Sequence, residues 1–124
     1  MRACVCLIDD DPLIREAASL VLRGGGYEVI LAENGADGLA VIAARQPDVI
    51  VTDVLMPETD GLEFLPRLKA RYPDLPVIAM SGGGEKGDQL YLHLASRFGA
   101  SACLAKPFSG SKLLAAVERA LAGA

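Results

Sequence analysis

A continuous apolar run that closes on an acid constrains the fold of this chain more than any other stretch. Within residues 48–53, Val49-Ile50-Val51 lead through Thr52 into Asp53. An apolar run without alternation is typical of a strand that is buried on both faces of a parallel sheet. An acid at the end of such a strand lies at the carboxyl edge of the sheet, where open α/β folds bind their ligands. Asp53 is therefore the first candidate for chemistry.

Composition favours one globular domain over residues 1–124, without an output domain. Of the 124 residues, 52% are hydrophobic and 23% are charged, which is a globular composition. The net charge of -4 argues against direct binding to nucleic acid, which usually requires a basic face. No apolar stretch approaches the ~20 residues that span a bilayer, so we expect no membrane insertion and a cytoplasmic location.

Strand-like and helix-like segments alternate five times along the chain. The predicted strands cover residues 3–8, 27–32, 48–53, 76–80 and 101–105. The predicted helices cover about 12–23, 36–45, 62–72 and 89–98, with a last helix after residue 109. Alternation with short connections predicts an α/β fold, in which helices cover both faces of a doubly wound parallel sheet.

Several local signals refine the helices. Asp11 is predicted to cap the first helix, with Pro12 at its first position, and Ser109 to cap the last. Pro66 is expected within about the first turn of the third helix, where proline is tolerated. The predicted core face of the first helix consists of Leu13, Ala17, Leu20 and Val21.

The cysteines and the histidine offer little chemistry by themselves. Cys4, Cys6 and Cys103 lie in apolar runs, and we expect buried free thiols, because cysteine packs as a small hydrophobe. Cys4 and Cys6 lack the spacing of a zinc site. The chain's one histidine, His93, provides little material for a catalytic triad or a histidine metal site.

Polar residues follow four of the predicted strands: Asp9 with Asp10, then Asp53, Ser81 and Lys106. In a parallel sheet they meet at one edge. Clustered carboxylates repel one another, and a hard cation such as Mg²⁺ relieves the repulsion. A lysine and a serine hydroxyl bind phosphoryl oxygens. Each residue alone is more commonly a cap or turn residue, but together they favour phosphoryl transfer to a carboxylate.

Four stretches now resemble a known family, the receiver domains of two-component response regulators. They are residues 7–12 (LIDDDP), 52–61 (TDVLMPETDG), 80–82 (MSG) and 104–108 (LAKPF). The resemblance covers essentially the whole chain and is closest to single-domain, chemotaxis-regulator-like receivers. It implies a flavodoxin-like sheet in the order 2-1-3-4-5.

The resemblance also implies a role for each acid. Asp53 is expected to accept a phosphoryl group from the phosphohistidine of a sensor histidine kinase or of a histidine phosphotransfer protein. Asp10 is expected to bind Mg²⁺ directly, and Asp9 through water. The backbone carbonyl of Leu55 would complete the metal's protein ligands.

The remaining implied roles concern the response to phosphorylation. Lys106 would pair with Asp53 and then with a phosphoryl oxygen, and Ser81 would move to bond another. The Lys106–Pro107 bond is expected to be cis. The loop after Ser81, which begins with Gly82, would switch together with the fourth helix, fifth strand and fifth helix. A monomer or weak homodimer would then signal to a downstream protein or pass the phosphate on, catalysing only its own phosphorylation and dephosphorylation.

The chain departs from the family at two places. Cys103 occupies the position three residues before the lysine where the family often has an aromatic ring, so a redox role is one interpretation. Gly82-Gly83-Gly84 begins a segment longer than usual. That segment is either a tolerated insertion or a remodelled output surface.

Two further functions stay open at this point. An aspartate-dependent phosphatase would carry an Asp-x-Asp motif, whereas Asp53 is followed by Val54-Leu55. A phosphorylation-independent interaction module would keep the fold but would not need the acids, Ser81 and Lys106.

Overall fold

The computed structural model describes residues 2–53, 61–82, 100–106 and 108–123, which contain five strands and four helices. In chain order the elements are β1 (Cys4–Ile8), α1 (Pro12–Gly24), β2 (Glu28–Ala32), α2 (Gly35–Ala44), β3 (Val49–Asp53), α3 (Gly61–Arg71), β4 (Val77–Gly82), β5 (Ala102–Lys106) and α4 (Gly110–Gly123). The helix predicted over residues 89–98 lies outside the described residues.

The strands form one parallel sheet in the order β2-β1-β3-β4-β5, which confirms the predicted topology. β1 and β3 lie inside the sheet and every residue of both is buried. The apolar run of β3 therefore has the two-sided burial that the sequence predicted. The register places Asp53 opposite Met80, and Gly82 opposite Lys106.

Helices cover both faces of the sheet, and each face has its own hydrophobic cluster. Successive side chains of a strand point to opposite faces, so β1 contributes Cys6 and Ile8 to one cluster and Val5 and Leu7 to the other. The first cluster is completed mainly by α2 and α3, with Ile42, Phe64, Leu65 and Leu68. The second is completed by α1 and α4, with Ala18, Leu22, Leu113, Ala116 and Val117.

The helix ends follow capping chemistry. The side chain of Asp11 accepts a hydrogen bond from the Leu13 N–H at 2.9 Å, and Pro12 is the first residue of α1. The Ser109 hydroxyl accepts one from the Lys112 N–H at 3.2 Å. Both predicted caps are confirmed. The glycines that follow α1 include Gly26, whose φ of 95° is accessible mainly to glycine.

The predicted core face of α1 is wrong for Leu13, Ala17 and Leu20, although Val21 does pack against the core. Leu13 and Leu20 are 75% and 66% exposed, whereas the buried residues of this helix are Ala18, Ser19 and Leu22. α1 carries two apolar stripes that lie side by side, and helical spacing alone does not say which one faces the sheet.

Pro66 lies close to its predicted place, since it is the sixth residue of α3, at the start of the second turn. Proline at this position removes one hydrogen bond of the helix. Its side chain is exposed, so water can satisfy the carbonyl that is left without a donor.

The expectation of three buried thiols holds for Cys4 and Cys6 but is wrong for Cys103, which is exposed. β5 is an edge strand, and its side chains alternate. Ala102 and Leu104 pack against the cluster beneath α4, so Cys103 points away from that cluster.

None of the helices in the described part of the chain combines the length and the apolar character that crossing a membrane requires.

Candidate functional site

Three carboxylates meet at the carboxyl edge of the sheet, where the strand order reverses between β1 and β3. Asp9 follows β1 directly, Asp10 is the next residue, and Asp53 is the last residue of β3. One carboxylate oxygen from each lies within 4.8 Å of the others. Asp9 and Asp53 are buried, whereas Asp10 is exposed and opens the cluster to solvent.

Lys106, the last residue of β5, reaches this cluster from two strands away. Its Nζ donates to Asp53 Oδ2 at 3.2 Å and to Asp9 Oδ2 at 2.8 Å. The lysine side chain is only 16% exposed, and the side chains of Asp9 and Asp53 that it contacts are 0% and 8% exposed, respectively. The shorter contact, to Asp9, was not part of the sequence prediction.

Two opposing effects set the pKa of Lys106. Burial of the ammonium group lowers the pKa, but the hydrogen bond that Lys106 donates to Asp9 and the charges of Asp53 and Asp9 outweigh burial. The pKa of Lys106 is therefore raised above its ordinary value of 10.5, and the side chain is a cation at physiological pH.

Ser81 and Gly82 end β4 at the same edge. Ser81 is fully buried and lies one residue beyond Met80, the neighbour of Asp53 across the strands. Gly82 pairs with Lys106 in the register of β4 and β5. The sheet therefore brings Asp9, Asp10, Asp53, Ser81 and Lys106 to one edge, as their positions at strand ends predicted.

Other predicted site residues lie outside the described part of the chain. They are Leu55, Gly83, Gly84, His93 and Pro107, and the Lys106–Pro107 bond lies there with them. Cys103 is described, and it is an exposed residue of β5 three positions before the lysine.

Arg15 is a residue that the sequence analysis did not single out. Its Nη1 donates to the backbone carbonyl of Asp9 at 2.6 Å. The available signal was its place in the chain, because an arginine one turn into a helix that follows an acidic loop can turn back toward that loop.

The donor set fits a divalent cation. Three carboxylates share one edge, and the cations described beside them, Lys106 and Arg15, carry less charge than the three acids, so negative charge is in excess. Carboxylate oxygens are the ligands that Mg²⁺ prefers. The exposed carboxylate of Asp10 can face an ion that arrives from solvent.

The fold and the site together define a doubly wound α/β protein with an acid-and-lysine centre at the point where the strand order reverses. The chain belongs to the response regulator receiver domain family, whose model matches residues 5–118.

Curated relatives agree with this assignment. The chain is 38% identical over 120 residues to the DNA-binding transcriptional regulator NtrC of Escherichia coli (strain K12), covering 97% of this chain and 25% of NtrC. It is 34% identical over 121 residues to the response regulator MprA of Mycobacterium sp. (strain KMS), covering 98% of this chain and 51% of MprA. The chain thus spans a quarter to about half of the length of these relatives.

Solved structures match the fold closely. The receiver domain of NtrX from Brucella abortus superposes with a TM-score of 0.90 at 31% identity, covering 97% of this chain and 99% of that domain. The chemotaxis protein CheY4 of Vibrio cholerae has a TM-score of 0.87 at 31% identity, covering 98% of this chain and all of CheY4.

Proposed function

We propose that this chain is a phosphoacceptor switch in which Asp53 takes a phosphoryl group from the phosphohistidine of a sensor histidine kinase or histidine phosphotransfer protein. The observation that carries the proposal is the position of Asp53: a buried carboxylate at a strand end, 3.2 Å from the Lys106 ammonium and beside two further acids. A lone strand-end aspartate would need none of these neighbours.

The transfer exchanges one bond for another. A carboxylate oxygen of Asp53 attacks the phosphorus, the P–N bond to the donor imidazole breaks, and the imidazole keeps the electron pair and takes up a proton. Negative charge is spread over the phosphoryl oxygens during the transfer, and Lys106 already lies beside the attacking carboxylate, so the ammonium can stabilise that charge without a costly rearrangement.

Mg²⁺ would be held by Asp10 and Asp53, with Asp9 acting through water, and when bound it supplies positive charge for the phosphoryl oxygens. Asp9 suits an indirect role, because its two carboxylate oxygens already accept hydrogen bonds from the Asp11 N–H and from Lys106.

The output of the switch is a change of protein partner. Ser81 is buried at the end of β4 beside the phosphoacceptor strand, so its hydroxyl can donate a hydrogen bond to a phosphoryl group on Asp53. The receiver would then engage a downstream protein or pass the phosphate on, as a monomer or weak homodimer. It would catalyse its own phosphorylation and dephosphorylation and turn over no external substrate. Three free thiols fit the proposed cytoplasmic location.

The first prediction tests Asp53 directly. Incubation with acetyl phosphate and Mg²⁺, followed by intact-mass measurement, is expected to add one phosphoryl group to the wild-type protein. Asp53→Asn should add none, because an amide is too poor a nucleophile to replace the carboxylate. Omitting Mg²⁺ or adding EDTA should abolish the gain in the wild-type protein.

Asp74→Asn is the matched control, since the same chemical change is made at an exposed position after α3. It should gain mass like the wild type. Labelling of Asp53→Asn to the wild-type extent would show the phosphoacceptor assignment to be wrong. An unlabelled wild type would favour a phosphorylation-independent interaction module, and hydrolysis of external phosphate esters would favour a phosphatase.

A further inference from the structure

Every polar group of Asp9 has a partner. Its N–H donates to the Ala32 carbonyl at 3.2 Å, and its two carboxylate oxygens accept from Asp11 and Lys106. The fourth group, its backbone carbonyl, accepts from Arg15 Nη1 at 2.6 Å. Of these partners, Arg15 alone uses a side chain to hold the backbone.

The carbonyl that Arg15 holds belongs to the peptide group between Asp9 and Asp10. That group is planar, so fixing its oxygen fixes the plane and the direction in which the Asp10 backbone leaves it. The paired register of β1 with β2 ends at Ile8. Past that point, the contact from Arg15 orients the peptide that aims Asp10.

Arg15 is itself well placed for this task. Its backbone N–H donates to the Asp11 carbonyl at 3.0 Å, within the first turns of α1. Its side chain is 17% exposed, and its Nη2 lies 4.0 Å from Glu33 Oε1 in the connection between β2 and α2. A planar guanidinium with several donors can hold a carbonyl and face a carboxylate at once.

We propose that Arg15 is a positioning residue for the magnesium site: it aims Asp10 by fixing the Asp9–Asp10 peptide. The inference rests on the proposed function, because it assigns Arg15 to the metal that the phosphoacceptor site uses.

Charge and positioning predict effects of opposite sign, which makes the proposal testable. Arg15 is a cation beside an anionic cluster, so Coulomb repulsion alone would make Mg²⁺ bind more tightly once the arginine is removed. A positioning role means that Mg²⁺ binds more weakly instead. Loss of a partner that orients a metal ligand typically costs about 10-fold or more in metal affinity.

The second prediction concerns Mg²⁺ affinity, measured by titrating Mg²⁺ into the unphosphorylated protein and following the backbone amide resonances by NMR. Arg15→Met is expected to weaken binding by about 10-fold. Arg23→Met, the same change at an exposed position in the last turn of α1, should leave the affinity unchanged. The same spectra report whether each variant is folded.

Arg15→Lys is the second variant, should Arg15→Met fail to fold. It keeps the charge, so Coulomb's law predicts no change, but its shorter ammonium cannot hold the carbonyl and face Glu33 together. Weaker Mg²⁺ binding supports the proposal. Affinity equal to or above the wild type in the folded Arg15 variants, or an equal loss in Arg23→Met, overturns it. Absence of saturable Mg²⁺ binding in the wild type would overturn the proposed function as well.

Discussion

Burial divides the three cysteine residues into two groups with different access to reagents. Cys4 and Cys6 are buried, and burial raises the pKa of the Cys6 thiol to about 12. Burial also raises the pKa of Cys103, although its residue is exposed. Because no thiol has a lowered pKa, reactivity depends on access and not on activation. The raised pKa of Cys103 disfavours its thiolate, so the pKa does not support a redox role for this residue.

The third prediction follows from this difference in access. Native protein treated with iodoacetamide at mildly alkaline pH is expected to gain one label, slowly, at Cys103. Denatured protein should gain three, and Cys103→Ser should gain none while native. Peptide mapping by mass spectrometry locates the label. Native labelling of Cys6 at the rate of Cys103 would contradict the burial described here.

At this scale the sequence predicted which residues gather but not how their side chains pair. Strand ends of a parallel sheet share an edge, so Asp9, Asp53 and Lys106 could be brought together from their positions alone. The contact between Lys106 and Asp9 depends on a side-chain conformation across two strands. Spacing along a chain does not contain that information.

At the scale of elements, α1 does more than cover the sheet. Its cap, Asp11, begins the helix beside the acid pair, and Arg15 turns back from its second turn to the same acids. The existence and limits of the helix were predictable from Asp11, Pro12 and the glycines after it. Which face of the helix packs on the sheet was not predictable, because both neighbouring apolar stripes satisfy helical spacing.

The buried face of α1 includes an imperfect contact. The Ser19 hydroxyl is buried and has no hydrogen-bond partner in the described part of the chain. A buried hydroxyl without a partner loses its hydration and gains nothing in return.

The fourth prediction is that Ser19→Ala raises the free energy of unfolding by about 1 kcal/mol, since it removes the unpaired hydroxyl and improves helix propensity. Urea denaturation measures the change. Ser109→Ala is the counterpart: it removes the hydroxyl that caps α4 and should lower stability by about 1 kcal/mol. A loss of stability in Ser19→Ala would show that the hydroxyl has a favourable partner, and a gain in Ser109→Ala would contradict the cap.

At the scale of the whole molecule, Lys106 ties the last strand to two strands that come earlier in the chain. Its contacts link β5 to Asp9 after β1 and to Asp53 on β3. Loss of the ammonium would leave buried carboxylates without their cation, and breaking a buried pair in this way is strongly destabilising.

The fifth prediction is that Lys106→Met lowers the free energy of unfolding by about 3 kcal/mol at neutral pH in EDTA. Lys112→Met, at an exposed position on α4, should change it little. The pKa of Lys106 is raised in the folded protein, so its stabilisation is complete below pH 10.5 and is lost as the pH rises through the higher folded value. The difference in free energy of unfolding between wild type and Lys106→Met should therefore narrow as the pH rises through the folded pKa. An unchanged difference at that high pH would contradict the link between the pKa of Lys106 and stability.

The separation of the site residues along the chain also determines when the proposed phosphoacceptor site can be complete during synthesis. Asp9 and Lys106 are 97 residues apart, and Asp53 and Lys106 are 53 apart, so both described ion pairs of Lys106 join distant parts of the chain. Contacts of such high contact order form slowly and late in folding. A nascent chain that has emerged only through β4 carries all three acids without their lysine. The proposed phosphoacceptor site can therefore be complete only after β5 has been synthesised and has paired with β4.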